Sequence, residues 1–550
     1  MQLASLLKRE ASGAPIWAWL LGLLPWIWII PFNQYFWDDW YTADLRGWEE
    51  QLARRDGGGK HYLTPLTYFL LLPIGAWIFH IFMVGFSLIG ALSFHEILAK
   101  TRMLPGEVAQ WSGPFFLAMP VFHARFAAAV LEYGLGLTAA LTAWALLLRP
   151  PSMRRWIASF LLLAYAIGVP SLAIMFPLIW LHSAWLPGVS CRSKGLRLAV
   201  RNLHVLLIPV LYVFVFQSLL NTRSRYGVVI GGIFAFGRGL LVVVIVIAAL
   251  AWLTRHLEDH RRRSWRRVSL SSCLAYFGLF PYFAVGYNPL AHLLPWRMAD
   301  EYLDVAYAKL PLILSLLVVT GFGAFSLAGG LRRRSELLSA VPAVVAVVGF
   351  SLSAVLLGPM SWESRHWIVS WPALVLVLLT LIATAHHEVT KPLIAFAFCV
   401  LLVSSLLISS EYLVDSLKQK ELIRAVHDDL RASARPVDEA SEVVAVVVDA
   451  SMFNPGLNAR LRGYASYEWK ALIARGLDLS VKDLRVINKA DVGGGVCDES
   501  YRAILIHPQV ENTRVNALIN WRVRIKLNAE QLLVCSIDES DGWGGSPSEW

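Results

Sequence analysis

Apolar runs alternate with short polar segments over the first 410 positions, a pattern that predicts a bundle of membrane-crossing helices. The first run covers roughly residues 15–33. Residues 63–75 fall short of the ~20 residues a span requires and read as a membrane-dipping or surface segment. Further spans are expected at about 76–98, 108–122 and 127–148. A helical pair follows over 156–187, broken at Gly168-Val169-Pro170-Ser171, because proline disfavours helix in the residue before it. The series continues near 203–220, 237–253, 268–286, 310–330, 337–358, 367–385 and 392–409, about thirteen spans in all.

The pattern changes after residue 410. Glu411 to Arg435 is polar with helical spacing and reads as a stalk. Glu442 to Asp449 and Arg502 to Ile506 read as buried strands, and the segment containing Tyr464 to Arg475 as a helix between them. The expected fold is therefore an α-helical polytopic membrane protein with a small C-terminal α/β extracytoplasmic domain. Residues 1–410 would form the transmembrane part, with an outer loop at 34–75, and residues 411–550 the outer domain.

Composition agrees with lipid as the solvent. Of 550 residues 57% are hydrophobic and 16% charged, where a soluble chain carries about 25% charged residues. A net charge of +10 would suit nucleic acid, but the cations sit in short segments between apolar runs. That placement sets membrane orientation instead. Lys8 and Arg9, Lys100 and Arg102, Arg149, Arg154 and Arg155, and Arg192 to Arg201 all fall on one side of the count. Arg255 to Arg267, Arg332-Arg333-Arg334 and His386 to Lys391 fall there too. The N-terminus is then cytoplasmic, and an odd number of spans leaves the C-terminal domain outside, in the periplasm of a bacterial inner membrane. Residues 15–33 are long, rich in Trp and without a small-residue cleavage site, so no cleavable signal is expected. Cys497 and Cys535 are the outer domain's two cysteines, joined as a disulfide in an oxidising compartment or left as two free thiols. Cys191, Cys273 and Cys399 lie in or beside spans.

Charge on the outer side runs against that bias and marks candidate chemistry. Phe36-Trp37-Asp38-Asp39-Trp40-Tyr41 follows the first span and sets two carboxylates among rings. Neighbouring carboxylates repel, so one keeps its proton more readily, which suits proton abstraction. A polar cap within an interfacial aromatic belt is the alternative. The same loop carries Leu45 to Leu52, with the spacing of an amphipathic surface helix, then Gly57-Gly58-Gly59 and Lys60-His61-Tyr62. Lys60, Arg125, Arg223, Arg225, Arg238, Arg297, Lys309 and Arg365 are the outer cations, either snorkelling to headgroups or converging on phosphate. Arg125 has Glu132 two turns on. Met360-Ser361-Trp362-Glu363-Ser364-Arg365-His366-Trp367 gathers acid, base and imidazole beside Trp362, Trp367 and Trp371, rings able to stack on a sugar or to form a plain belt.

Several of these features together resemble the GT-C superfamily of membrane glycosyltransferases. They are the acidic dipeptide after span one, the amphipathic helix in that loop, the span count and the outer C-terminal domain. Ser364-Arg365-His366-Trp367 followed by Trp371-Pro372 is similar to that family's arginine near the lipid-phosphate site. The Trp-Trp-Asp motif of the oligosaccharyltransferase branch is absent from the sequence. The resemblance implies transfer of a sugar from a polyprenyl-phosphate donor to an acceptor hydroxyl on the periplasmic face. The acceptor class would be a cell-envelope glycan, lipopolysaccharide or a protein such as pilin. Asp38 or Asp39 would act as base, and Arg365 and His366, with Arg238 and Lys60, would meet the leaving phosphate. Trp37, Tyr41, His61, Arg125, Arg297 and Glu363 would line the substrate. Asp38, Asp39 and Glu363 offer hard oxygens to Mg2+ or Mn2+, although their spacing demands no metal. A lipid-linked glycan ligase or polymerase of another fold, or a lipid-linked sugar flippase, is the alternative class. A transporter would carry mid-span charges and internal duplication, whereas the charges here sit at span ends.

Overall fold

The computed structural model describes residues 14–31, 63–71, 73–101, 104–119, 131–169, 172, 175–184, 200–220, 370–384, 387–430, 444–448, 466–477, 484–488, 500–510 and 525–535. Its first part is helical. Helix α1 spans Ile16–Ile27, α2 Leu63–Leu71, α3 Ala76–Thr101, α4 Gly106–Ala109 and α5 Ser112–Ala118. Helices α6 (Leu131–Leu147), α7 (Met153–Ala166), α8 (Met175–Ala184) and α9 (His204–Leu220) follow, then α10 (Ser370–Thr384) and α11 (His387–Ala425). Among the described residues one helix, Ala76–Lys100, is by itself long and apolar enough to cross a bilayer. Ile16–Ile27, Leu131–Leu147 and Val389–Val403 are shorter apolar helices. The spans expected near 237–253, 268–286, 310–330 and 337–358 lie outside the described residues.

Several boundaries match the sequence pattern. The segment at 63–75 is a nine-residue helix, α2, and Gly75 turns the chain into α3 with φ 115°, a conformation that favours glycine. The expected break at Gly168 is present, because α7 ends at Ala166 and α8 starts at Met175. Ser152 caps α7 by accepting a hydrogen bond from the Arg155 backbone N–H at 3.3 Å.

The run at 108–122 departs from expectation. Through Ala118 it forms two short helices, α4 and α5, rather than one continuous span. Ser112-Gly113-Pro114 explains the division. Proline is favoured in the first helical turn, where an N–H would find no acceptor, and Pro114 stands in the first turn of α5. All seven residues of α5 are buried, and it packs against α1, α3, α10 and α11.

Side-chain contacts give each helix its direction. Thr138 Oγ1 donates to the Phe86 carbonyl at 3.0 Å, Ser93 and Thr142 hydroxyls meet at 3.0 Å, and Arg149 pairs with Glu96, so α3 and α6 run parallel. Helix α5 runs against α3, since His95 Nδ1 lies 3.0 Å from Ser112 Oγ and Phe94 meets Phe116 with ring centroids 5.6 Å apart. Helix α1 runs alongside α5: the Trp19 ring covers Gly113, and Trp26 reaches Leu117. In α11, Phe398 contacts Trp17 and Trp111, while Ser409 donates to the Pro25 carbonyl at 2.7 Å, so α11 is parallel to α1.

Helix α11 continues unbroken from apolar into polar sequence for 39 residues and ends in a π-helical turn, Val426–Leu430. The expected last span and stalk are thus one element, crossing position 410 without a break. Strands β1 (Val444–Val448), β2 (Leu484–Asn488), β3 (Ser500–Val510) and β4 (Ile525–Cys535) form one sheet in the order β2-β1-β3-β4. Strand β1 pairs in parallel with β2 and β3, and β3 pairs antiparallel with β4, Ser500 opposite Cys535. Helix α12 (Ser466–Gly476) connects β1 to β2 and packs on α11. The two strands and the helix expected from sequence in this region are all present, with β2 and β4 in addition.

Candidate functional site at the end of α1 and the start of α10

Among the described residues, four of the cations assigned to one side by sequence, Lys100, Arg149, Arg155 and Arg201, gather at one end of the bundle. Glu96, buried near the end of α3, pairs with Lys100 one turn on and with Arg149 just past the end of α6. Arg149 Nε donates to Glu96 Oε1 at 2.6 Å. Arg155 Nη1 donates to the Pro150 carbonyl, and Trp156 Nε1 to the Arg201 carbonyl at 3.3 Å, which brings the starts of α7 and α9 to the same end. Side-chain pairs stitch the helices just inside it. Trp144 Nε1 donates to His182 Nδ1 at 2.8 Å, and Asn202 Nδ2 donates to Ser183 Oγ at 3.0 Å. An indole N–H only donates, so His182 Nδ1 accepts and the neutral ring carries its proton on Nε2.

Further into the bundle, where α1 ends and α10 begins, lies the feature of most functional interest. Trp26, near the end of α1, and Trp371, in the first turn of α10, stack with centroids 5.6 Å apart and planes 16° apart. Trp371 also stacks on Phe116 of α5 at 4.2 Å and 14°. The two indoles cap α5. Trp371 Nε1 donates to the Phe116 carbonyl at 2.6 Å and Trp26 Nε1 to the Leu117 carbonyl at 2.9 Å. The last four carbonyls of any helix lack intrahelical donors, and here buried indoles supply two of them. Leaving such a carbonyl unpaired in a buried setting costs roughly 1–3 kcal/mol. Trp26 and Trp371 are 1% and 2% exposed, so the Trp371 ring belongs to this packing and is not an open face for a sugar. That corrects the sugar-stacking role suggested for it from sequence.

The other residues singled out from sequence fall as follows. Asp38, Asp39, Trp37, Tyr41, Lys60, His61, Arg125, Arg238, Arg297, Glu363, Arg365, His366 and Cys497 lie outside the described residues. Cys535 ends β4. Glu132 is buried in the first turn of α6, where the helix dipole favours a carboxylate. Among the described residues no three His, Cys, Asp or Glu side chains gather as a metal site.

Sequence reasoning missed Trp26 and Phe116. Tryptophans closing apolar runs read as an interfacial belt, and no local period announces that residues 26 and 371 meet. What the stack does is fix two chain ends together. The segment carrying Asp38 and Asp39 leaves α1 a few residues after Trp26, and the segment carrying Arg365 and His366 joins α10 just before Trp371. No protein-family model matches this sequence, and comparison with curated proteins finds no match.

Proposed function

We propose that the protein is an integral membrane glycosyltransferase that moves a sugar from a polyprenyl-phosphate donor to an acceptor hydroxyl at the periplasmic face. One observation carries the reading: the contact of Trp26 with Trp371, which joins the end of α1 to the start of α10. Arg365 lies six residues before Trp371, so the chain holds it within about 20 Å of that ring whatever path it takes. Asp38 lies twelve residues beyond Trp26, a reach of about 40 Å at full extension. Acid-bearing and arginine-bearing segments thus share one anchoring point, as a two-part site requires. The sheet and α12 attach beyond that contact, along the far part of α11.

In this mechanism Asp38 or Asp39 takes the proton of the acceptor hydroxyl as its oxygen attacks the anomeric carbon. The bond from that carbon to the phosphate oxygen breaks, and polyprenyl phosphate leaves with the electron pair. Arg365, His366, Arg238 and Lys60 oppose the charge that develops on the phosphate. Rings and polar groups at Trp37, Tyr41, His61, Arg125, Arg297 and Glu363 hold the sugar and acceptor. Where a divalent ion takes part, Asp38, Asp39 and Glu363 are the oxygen ligands available to it.

The test is sugar transfer by the purified protein in lipid vesicles, using a panel of synthetic polyprenyl-phosphate sugars. Asp38→Asn or Asp39→Asn is expected to lower turnover by roughly 10²–10⁴-fold, and Arg365→Ala by about 10²-fold or more. Full turnover in both Asn variants would remove the assigned base. Movement of the lipid-linked sugar between leaflets with no new glycosidic bond would favour the flippase reading instead.

A further inference from the structure

We propose that the seam between the starts of α7 and α9 binds an anionic phospholipid, with Arg154 and Arg201 holding its phosphate. The proposal rests on the membrane part of the reading above and is independent of sugar transfer. Cations at the basic end fall into two groups. Lys100 and Arg149 are both engaged by the buried Glu96 carboxylate. Among the described residues no carboxylate pairs with Arg154, Arg155 or Arg201. Arg155 Nη1 turns back to the Pro150 carbonyl, whereas Arg154 and Arg201 are exposed. Two guanidiniums thus face outward without an internal anion, and their donor geometry matches phosphate oxygens.

The same seam supplies the apolar half of a site for an amphiphile. Trp156 Nε1 donates to the Arg201 carbonyl at 3.3 Å and its ring meets that of His204 at 4.8 Å, so α7 and α9 start side by side. Met153, Ile157 and Leu161 stand exposed at every fourth position of α7. Leu203, Leu207 and Leu211 repeat that spacing from the turn before α9 onward. Each row covers about 12 Å of helix, room for a stretch of acyl chain. Trp156 and Phe160, half-buried and stacked with planes 13° apart, border the α7 row on the side that meets His204. A nucleic acid or a soluble acidic peptide would leave these rows in water. A zwitterionic lipid carries its own cation and gains less from unpaired arginines. Basic groups between helices beside an apolar surface are the pattern that holds anionic headgroups.

Native mass spectrometry of the whole chain, stripped of lipid in detergent, tests the site. The probes are phosphatidylglycerol, phosphatidylcholine with the same acyl chains, and inorganic phosphate. Phosphatidylglycerol is expected to bind about tenfold more tightly than phosphatidylcholine, or better. Arg154→Ala and Arg201→Ala should each weaken it about fivefold, and the two together by more than about tenfold. Arg154→Lys with Arg201→Lys keeps the charge and should retain more affinity than the alanine pair. Lys391→Ala removes an exposed cation near the start of α11 and should leave the affinity unchanged. Inorganic phosphate in large excess should not displace the lipid.

Equal affinity for the two lipids overturns the proposal. An equal loss in Lys391→Ala overturns it as well, because it marks diffuse attraction to a basic surface. So do lysine and alanine pairs that bind alike, or displacement by inorganic phosphate, which would make a free ion the ligand. A protein that leaves membranes in an alkaline wash without detergent removes the membrane reading and this site with it. Lipid selectivity in a protein that transfers no sugar upholds the site and removes only the glycosyltransferase reading.

Discussion

Arg149 grips the Glu96 carboxylate with two guanidinium nitrogens, although the two residues are 53 positions apart in the chain. Lys100 reaches the same carboxylate from one turn further along α3. The Glu96 side chain is 8% exposed and those of its partners about a third, so the acid is buried and the cations face outward. Arg149→Ala leaves Glu96 with Lys100 alone and is expected to cost about 2–3 kcal/mol, under the roughly 3–5 typical when a buried charge loses all partners. Thermal unfolding in detergent measures it. The double change Glu96→Leu with Arg149→Leu should cost less than Arg149→Ala, because no buried charge is then left behind.

Glycine is required at one position and replaceable at another. A Cβ at Gly113 would collide with the six-membered ring of Trp19, whereas one at Gly85 would meet nothing within 4 Å. Gly113→Ala is expected to destabilise by about 1–3 kcal/mol through overpacking. Gly85→Ala should be neutral or stabilising by up to about 1 kcal/mol, from helix propensity. The same unfolding experiment run on both variants must rank them in this order.

The Trp144–His182 pair joins α6 to α8 by a 2.8 Å hydrogen bond and an edge-to-face ring contact. Trp144→Phe and His182→Phe each strand a buried polar atom or lose a partner, at roughly 1–3 kcal/mol apiece. The double variant buries neither group, so its loss should fall short of the sum by about 1 kcal/mol or more. A double-mutant cycle in unfolding free energy reads this difference. Additive losses would mean that the two side chains act separately.

Helix α12 approaches α11 through Gly476, where an added Cβ would stand 2.5 Å from Val426 Cγ1 and 3.0 Å from the Ile423 carbonyl. Gly476→Ala is expected to loosen the contact between α12 and α11 and to raise the rate of proteolysis after residue 430. Val426→Ala removes the nearest methyl group but keeps the Cβ at 2.6 Å, so adding it to Gly476→Ala should restore only part of the protection. No recovery at all would mean that the Val426 Cβ and the Ile423 carbonyl set the limit rather than the methyl group.

Much of the helical pattern was legible because apolar length and terminal charge are local properties. Ala76–Thr101 and His204–Leu220 lie close to the spans read from sequence, and Lys100, Arg149 and Arg201 do meet at one end. Local reading failed at 108–122, where the apolar total suggested a span but Gly113-Pro114 starts a separate helix. It also failed to join the last span to the stalk, since helix hydrogen bonds are indifferent to the change from apolar to polar side chains at residue 410. For the candidate site, charges advertised themselves in the sequence and the packing that anchors their segments did not. Trp26 and Trp371 are 345 positions apart, and a tryptophan at a span end looks the same whether it faces headgroups or caps a carbonyl.

Helix α11 has a mechanical consequence. At 1.5 Å per residue its 39 residues measure about 58 Å, nearly twice the ~30 Å hydrocarbon thickness. It therefore acts as a lever with its lower arm among α1 and α5 and its upper arm against α12. A tilt of about 10° at the foot would swing the tip by about 10 Å on that length. Packing at the foot, which sets the tilt of the helix, becomes a physical variable felt by α12 and the sheet at the far end.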